Sequence, residues 1–157
     1  MGELQHLLER GCIYIATGEG AVQTVLGSCV SVCLWDPEAR CGGMNHFIYP
    51  QTMRKEQATP KYGNVATMAL IKLMCEEGCS PGSLTAHIIG GGHPDGATNS
   101  TGMRNVEVAR KILNDKGITI MSEDVGGRVG RKVVFDLSTG QVAVLKVTKL
   151  RAEDWIN

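Results

Sequence analysis

The feature that most constrains the fold is a pair of apolar segments separated by a short turn. Residues 30–35 are rich in β-branched and apolar side chains, which is typical of a strand. Residues 36–39 have turn-forming character, with Pro37 suited to the second turn position. Residues 41–48 return as a second apolar strand. The sequence therefore predicts a β-hairpin in the first third of the chain.

A cysteine and a histidine flank this hairpin. If the turn is centred between Pro37 and Glu38, Cys29 lies directly opposite His46, where Cβ atoms are ~4.5–5.5 Å apart. Cysteine reacts as the thiolate, and a neighbouring imidazole is the usual means of forming one at neutral pH. The pairing depends on the assumed loop length, because a one-residue slip would turn His46 to the other face. From spacing alone, a catalytic dyad and two buried structural side chains both remain open.

Length and charge exclude several classes of protein. The 157 residues fit one domain spanning 1–157, with a polar N-terminal segment (1–11) and a polar C-terminal tail (149–157). Trp155 and Ile156 of this tail could dock on the body of the domain or on a partner. Sixteen basic and sixteen acidic residues cancel, and aromatic residues make up only 4%. We therefore expect neither nucleic-acid binding nor attraction to an anionic membrane.

The N-terminal segment lacks the apolar core of a signal peptide, and no apolar run approaches the ~20 residues needed to cross a bilayer. We therefore expect a cytoplasmic protein without membrane insertion, whose six cysteines are free thiols.

The spacing of the cysteines offers candidate ligands for a metal site. Cys29/Cys33 and Cys75/Cys79 are both C-x3-C pairs, and further candidate ligands are available at Cys41, His46, His87 and His93. Most of these cysteines fall inside strand-like or helical apolar patterns, and the spacing is less specific than paired C-x2-C motifs. We therefore expect no metal and no cofactor.

The rest of the chain predicts alternating strands and two helices. Residues 63–77 carry an apolar stripe at helical spacing, and so do residues 103–116; Gly78 and Gly117 suit the two helix ends. The stripe of the first helix is formed by Ala66, Ala69, Leu70, Leu73 and Met74. Some seven strands complete the pattern, among them 84–89, 118–121 and a hairpin of 133–137 with 141–147. Residues 49–61 and 122–127 are predicted to be loops. The fold class is α+β, with largely antiparallel or mixed sheets packed against about two main helices.

Two further segments carry ambiguous chemistry. The glycine run at residues 90–92 matches neither common phosphate-loop spacing, so a tight turn with close backbone approach is favoured. His93 beside it is interpreted as a solvated loop residue rather than a second catalytic one. Asp124 could orient a catalytic imidazole or cap a turn.

Several motifs together resemble one known family. The run TVLGSCVSV at residues 24–32 is followed by His46 and Pro50, then by Gly102-x-Arg104-Asn105-Val106-Glu107, Glu123-Asp124-x-Gly126-Gly127 and Gly130-Arg131-Lys132-Val133. These blocks extend over roughly residues 22–147 and look like the chemoreceptor glutamine deamidase family, CheD.

The resemblance implies a Cys-His-Thr enzyme, a protein-glutamine glutaminase that converts receptor glutamines to glutamate through a Cys29 thioester. Thr24, five residues before Cys29, is taken as the third member; Gln23 occupies the position six before. The implied partners are methyl-accepting chemotaxis receptors and a CheC-type phosphatase. The implied fold is similar to the deamidase domain of a cytotoxic necrotising factor.

Hydrolysis of receptor methyl esters is a plausible side activity, since it would pass through the same acyl-enzyme. The alternatives are a non-catalytic module that regulates the CheC phosphatase, another cysteine amidohydrolase or transglutaminase-like enzyme, and a metal-binding redox protein.

Overall fold

The strand β4 (Val30–Asp36) is the centre of the fold and is buried along its whole length. In the computed structural model, which describes residues 5–96 and 100–155, alternate side chains of β4 enter two different cores. Val30 and Leu34 face the helices, whereas Cys33 and Trp35 face a second sheet. A strand covered on both faces shows a continuous apolar run instead of alternation, which is the pattern seen in the sequence.

Two sheets pack face to face. The larger sheet has five strands in the spatial order β2 (Ile13–Thr17), β5 (Cys41–Asn45), β4, β6 (Thr85–Gly90) and β7 (Thr119–Val125). The smaller sheet has four, in the order β1 (Gln5–Leu7), β3 (Ala21–Leu26), β8 (Gly130–Asp136) and β9 (Val142–Val147). The β1–β3 and β6–β7 pairs are parallel and the others antiparallel.

The helices α1 (Gly63–Glu76) and α2 (Thr101–Asp115) cover the other face of the larger sheet. The result is three layers, smaller sheet, larger sheet and helices, with one apolar core in each gap. Neither helix combines the length and apolar character that crossing a bilayer requires, as far as the described residues go.

The predicted α+β class and both helices are confirmed, with one change in the first helical stripe. Leu73 is 39% exposed, whereas Thr67 and Ile71 are buried. The buried face of α1 is therefore rotated away from Leu73, because the helix contacts both the larger sheet and α2. Its buried residues are Gly63, Ala66, Thr67, Leu70, Ile71 and Met74. Gly78 and Gly117 adopt φ of +101° and +71°, the left-handed conformation expected after a helix end.

The predicted number of about seven strands is too low, because nine strands occur in the described part of the chain. The polar segment 1–11 contains β1, an exposed edge strand whose side chains give no apolar signal. Residues 122–125, predicted as a loop, continue β7, which pairs with β6 up to Val125. An edge strand carries polar side chains without penalty, so polarity alone was misleading at both places.

The hairpin register differs from the prediction by two residues. Val30 lies opposite Phe47, in register with the β4–β5 ladder, so Cys29 and His46 are diagonal rather than directly opposed. A shift of two residues preserves the face on which each side chain lies. Cys29 and His46 therefore share the face toward the smaller sheet, as the hypothesis of a dyad requires.

Asp36 explains the shift. Its Oδ1 accepts hydrogen bonds from the backbone amides of Glu38 (2.9 Å) and Ala39 (3.2 Å), and Arg40 adopts a φ of 51°. Asp36 then pairs with Cys41, so the connection has four residues rather than two. The centre of the turn moves one residue toward the C-terminus.

Candidate active site

Between the two sheets, Thr24 contacts His46, and Cys29 lies on the same side of the larger sheet, beside one end of β4. Cys29 immediately precedes β4, and His46 follows β5 on the neighbouring strand of the larger sheet. Thr24 belongs to β3 of the smaller sheet and faces inward with its neighbours Val22 and Leu26. All three are almost fully buried, with exposures of 1% for Cys29 and 2% each for His46 and Thr24.

The Thr24 hydroxyl fixes the protonation of the imidazole. Its Oγ1 lies 2.8 Å from the carbonyl oxygen of Leu8 and 2.7 Å from Nδ1 of His46. A carbonyl only accepts, so the hydroxyl proton goes to Leu8, and Nδ1 must carry a proton that it donates to Thr24. The Nε2 atom then holds the lone pair. It is buried and has no hydrogen-bond partner within the part of the chain that the structure describes.

The alternation of side chains along β3 places Thr24 and Gln23, the two candidates for the third position, on opposite faces of the strand. Successive side chains of a strand point to opposite faces. Gln23 is only partly buried and lies on the face of β3 directed away from the larger sheet. Thr24 alone of the two contacts His46.

Burial keeps both the thiol and the imidazole uncharged at rest. Desolvation raises the pKa of Cys29 to about 12 and lowers the pKa of His46 to about 4. The positive charge of Arg10 lowers both values, whereas the negative charge of Asp154 raises both. In this buried arrangement the thiol keeps its proton, and Nε2 of His46 carries an unused lone pair.

The glycine run holds the loop that carries Cys29. The amide of Gly91 donates to the carbonyl of Cys29, and the amide of Gly92 donates to the carbonyl of Gly27, both at 2.9 Å. Gly90 has a φ of +114°, and a Cβ there would overlap the Cys29 carbonyl oxygen. This confirms the prediction of a tight turn with close backbone approach.

Asn105 of α2 joins the two halves of the site from behind. Its Nδ2 donates to the carbonyls of Ser28 and Ile48, each at 3.0 Å, and the residue is fully buried. Ser28 precedes Cys29, and Ile48 is two residues beyond His46. One carboxamide thus ties the cysteine loop to the histidine segment. In the sequence, Asn105 stands out only as part of the Arg-Asn motif. Its position on the buried face of α2 is the signal that could have indicated a structural role.

Asp124 does not orient the imidazole, although that was one of its two predicted roles. Its Oδ1 is 3.0 Å from Nε of Arg131, a side chain that is only 3% exposed. Arg131 also donates to the carbonyls of Gly126 (2.8 Å) and Gly90 (3.5 Å). Asp124 therefore stabilises an arginine that fastens the glycine run, and Thr24 orients His46 instead.

The remaining candidates lie in structural contacts. Nδ1 of His93 accepts the amide of Asp95 within its own loop, and Nδ1 of His87 is 2.6 Å from the Ser122 hydroxyl. Cys33 is completely buried in the core between the sheets. Among the described residues, no group of three or more His, Cys, Asp or Glu side chains is arranged to hold a metal.

A pocket of about 440 Å³ opens beside His46. It lies between residues 7–10, β3 and residues 151–154. Its lining residues are Leu7, Leu8, Glu9, Arg10, Thr24, Val25, His46, Arg151 and Asp154. The pocket reaches the imidazole side of the site, and charged side chains surround its mouth.

Comparisons with known proteins agree on one family. The model described as "CheD chemotactic sensory transduction" matches residues 49–146, C-terminal to Cys29 and His46. A Sulfurimonas denitrificans protein named "Probable chemoreceptor glutamine deamidase CheD" is 37% identical over 87% of this chain and 90% of its own length. A relative of the same function name from Anaeromyxobacter dehalogenans is 40% identical over 88% of this chain and 82% of its own.

One solved structure shares the fold. The crystal structure of Neisseria meningitidis protein NMB0706 superposes with a TM-score of 0.51, covering 94% of this chain and 76% of that protein at 12% identity. At this identity the likeness concerns the fold alone.

The lowered pKa of His46 predicts a specific loss of stability in acid. The unfolded imidazole, with its pKa near 6.5, takes up a proton before the folded one, whose pKa is about 4. The stabilisation is thus complete above pH 6.5 and is lost as the pH falls toward 4, by ~3 kcal/mol. Urea unfolding across this range should show this loss in the wild type and its absence in His46→Gln. Parallel curves for the two proteins would contradict the assignment.

The bridging role of Asn105 predicts a large stability cost for its removal. Asn105→Ala leaves two buried carbonyls without their donor, at about 1–3 kcal/mol each. Asn64→Ala is the matched control, since Asn64 also makes two hydrogen bonds, but to Thr52 in a partly exposed loop. Denaturant unfolding should place Asn105→Ala well below Asn64→Ala. Equal losses would show that the bridge contributes nothing particular.

Proposed function

Because this chain belongs to the CheD family, we propose that it is a protein-glutamine deamidase that acts on chemoreceptors. The relatives carry this activity in their names, and the site supplies the residue types that the reaction requires. The observation that carries the proposal is the hydrogen bond between Thr24 and Nδ1 of His46. It leaves Nε2 as a proton acceptor on the face that also holds the Cys29 thiol.

The proposed first step forms a thioester. The Sγ–H proton of Cys29 passes to Nε2 of His46, and the sulfur attacks the carboxamide carbon of the substrate glutamine. The imidazolium then gives its proton to the departing nitrogen, so that ammonia leaves. Backbone amides of the cysteine loop are the available donors for the developing oxyanion.

The second step restores the enzyme. Nε2 of His46 accepts a proton from water, the hydroxide attacks the thioester carbon, and the Cys29 sulfur leaves and is reprotonated. The product is glutamate. Throughout both steps, Thr24 would hold Nδ1 and stabilise the positive charge that forms on the ring.

Two finer features belong to the same proposal. A glutamate methyl ester presents the same acyl carbon, so hydrolysis of receptor methyl esters would use the same thioester. A CheC-type phosphatase is the proposed regulatory partner, as the resemblance of the sequence implies.

Loss of the nucleophile or the base should abolish the reaction. Cys29→Ala removes the atom that forms the thioester, and His46→Ala should lower kcat by about 10²–10⁴-fold. Mass spectrometry of receptor peptides, following replacement of the side-chain NH2 by OH, measures the conversion. The exposed Cys12 provides the matched control, Cys12→Ala, which should react as the wild type does.

Undiminished deamidation by Cys29→Ala would overturn the mechanism. If Cys29→Ala and the wild type were both inactive yet both bound and stimulated a CheC-type phosphatase, the non-catalytic alternative would be favoured.

Thr24 is expected to act on kcat through the imidazole. Thr24→Val keeps the shape but loses the hydrogen bond, whereas Thr24→Ser keeps the hydroxyl. A hydrogen bond to a charged group contributes about 1.5–3 kcal/mol, so kcat should fall by about 10–100-fold in Thr24→Val. Steady-state kinetics should show an unchanged KM and recovery in Thr24→Ser. A change confined to KM would speak against this role.

A further inference from the structure

The side chains of Cys29 and His46, which carry the proposed reaction, are buried in this structure. Cys29 and His46 are only 1% and 2% exposed, so a substrate side chain cannot reach the thiol unless something moves. Residues 150–155, here called the C-terminal segment, lie directly over the loop that carries Cys29. Within the segment, Ala152–Asp154 form a single 3-10 turn.

The segment contacts the site through its main chain. The carbonyl oxygen of Asp154 accepts from the amide of Ser28 at 3.4 Å, and the carbonyl of Glu153 accepts from Nη1 of Arg10 at 2.6 Å. A Cβ at Gly27 would overlap the Asp154 carbonyl oxygen. The absence of a side chain at Gly27 is therefore what allows another carbonyl group to lie beside the nucleophile.

One leucine anchors the segment. The side chain of Leu150 fills a hollow over Gly130, where any Cβ would overlap it, and also approaches Gly27. The ring of Trp155 lies near Gly92. The absence of side chains at Gly27, Gly92 and Gly130 thus leaves a surface on which a short piece of polypeptide can lie close to the backbone.

The segment also changes the charge around the site. The Asp154 carboxylate raises the pKa of both Cys29 and His46, whereas Arg10 lowers both. Displacement of the segment would remove Asp154 and leave Arg10 in place. Opening of the site would then lower the pKa of Cys29, first by relieving its burial and second by removing the charge of Asp154.

We propose that the surface under residues 150–155 docks the substrate segment that carries the reacting glutamine, and that the C-terminal segment occupies this surface in the free protein. The proposal rests on the proposed deamidase function and specifies how its substrate is bound. The partner is a protein segment that offers a carbonyl to the Ser28 amide, an acceptor to Arg10 and an aliphatic side chain to the hollow at Gly130.

The chemistry of the contacts supports a shared surface. A glutamine carboxamide must bring its carbonyl oxygen next to the amides of the cysteine loop, and the Asp154 carbonyl already occupies such a position. Recognition through main-chain carbonyls is independent of side-chain identity, so a substrate segment can replace the C-terminal segment contact by contact. Substrate binding and uncovering of the thiol then become one event.

The first experiment measures access to the thiol. Iodoacetamide labelling of Cys29, followed by peptide mass spectrometry with Cys12 as internal reference, is compared among the wild type, a chain ending at Lys149 and Leu150→Ala. Leu145→Ala is the matched control, because Leu145 is 65% exposed on β9. If the open form is a minor state of about 0.1–10%, truncation should accelerate labelling about tenfold or more. Leu150→Ala should do so to a smaller extent, and the control should not.

The second experiment asks what binds the uncovered surface. A synthetic peptide of residues 150–157 should protect Cys29 of the truncated chain from iodoacetamide, whereas the same peptide with Leu150→Asp should not. With a receptor fragment as substrate, the peptide should raise KM without changing kcat. Far-UV circular dichroism verifies that the truncated chain is folded, and Leu150→Ala provides the test if it is not.

The outcomes separate this proposal from the deamidase function. Unchanged labelling in truncated and Leu150→Ala proteins would overturn it, as would a peptide that protects Cys29 but does not compete with the receptor fragment. If the wild type and all variants fail to deamidate, the proposed function is lost. Binding of the receptor fragment to the truncated chain then decides: displacement by the peptide supports the docking surface, and no binding or no displacement overturns it.

Discussion

Two main-chain hydrogen bonds, from Gly91 to Cys29 and from Gly92 to Gly27, hold the cysteine loop against the end of the larger sheet. Each contributes only about 0.5–1.5 kcal/mol net, but their short reach excludes any side chain between the two loops. Glycine is required for this approach, since a Cβ at Gly90 would overlap the Cys29 carbonyl and one at Gly91 would crowd Gly102 of α2. The position of Cys29, the packing of α2 and the depth of the site therefore depend on the close approach of two backbone segments.

The Thr24–His46 contact explains why the site lies between the sheets rather than within one of them. The larger sheet supplies the thiol and the imidazole, and the smaller sheet supplies the hydroxyl that selects the imidazole tautomer. Packing the two sheets is thus a precondition for a free Nε2 lone pair. Leu8 completes the arrangement, because its carbonyl takes the Thr24 hydroxyl proton. The segment that leads from β1 to β2 is therefore part of the site, although its polar sequence gives no sign of it.

Sequence patterns predicted the parts of this structure that are set locally or by periodicity. The two helices, the central hairpin and the shared face of Cys29 and His46 follow from apolar spacing, and the face survived a two-residue error in register because strands alternate with period two. The error arose from the Asp36 side chain, whose hydrogen bonds lengthen the turn. The bridge from Asn105 to Ser28 and Ile48 and the contact of Asp154 with the Ser28 amide could not be predicted, since each joins residues more than fifty positions apart.

Burial and reactivity impose opposite demands on Cys29. A thiol buried in an apolar environment keeps its proton, which protects it from oxidation and from unselective reaction, but the same environment disfavours the thiolate that the proposed mechanism requires. A permanently open site would favour the thiolate, but it would leave Cys29 open to oxidation and to unselective reaction. In the proposed docking arrangement, a cover that carries a negative charge meets both demands, because its removal would admit the substrate and take away two causes that raise the pKa of Cys29, burial and the charge of Asp154. Arg10, which binds the cover through Glu153 and remains after it leaves, is placed to favour that change.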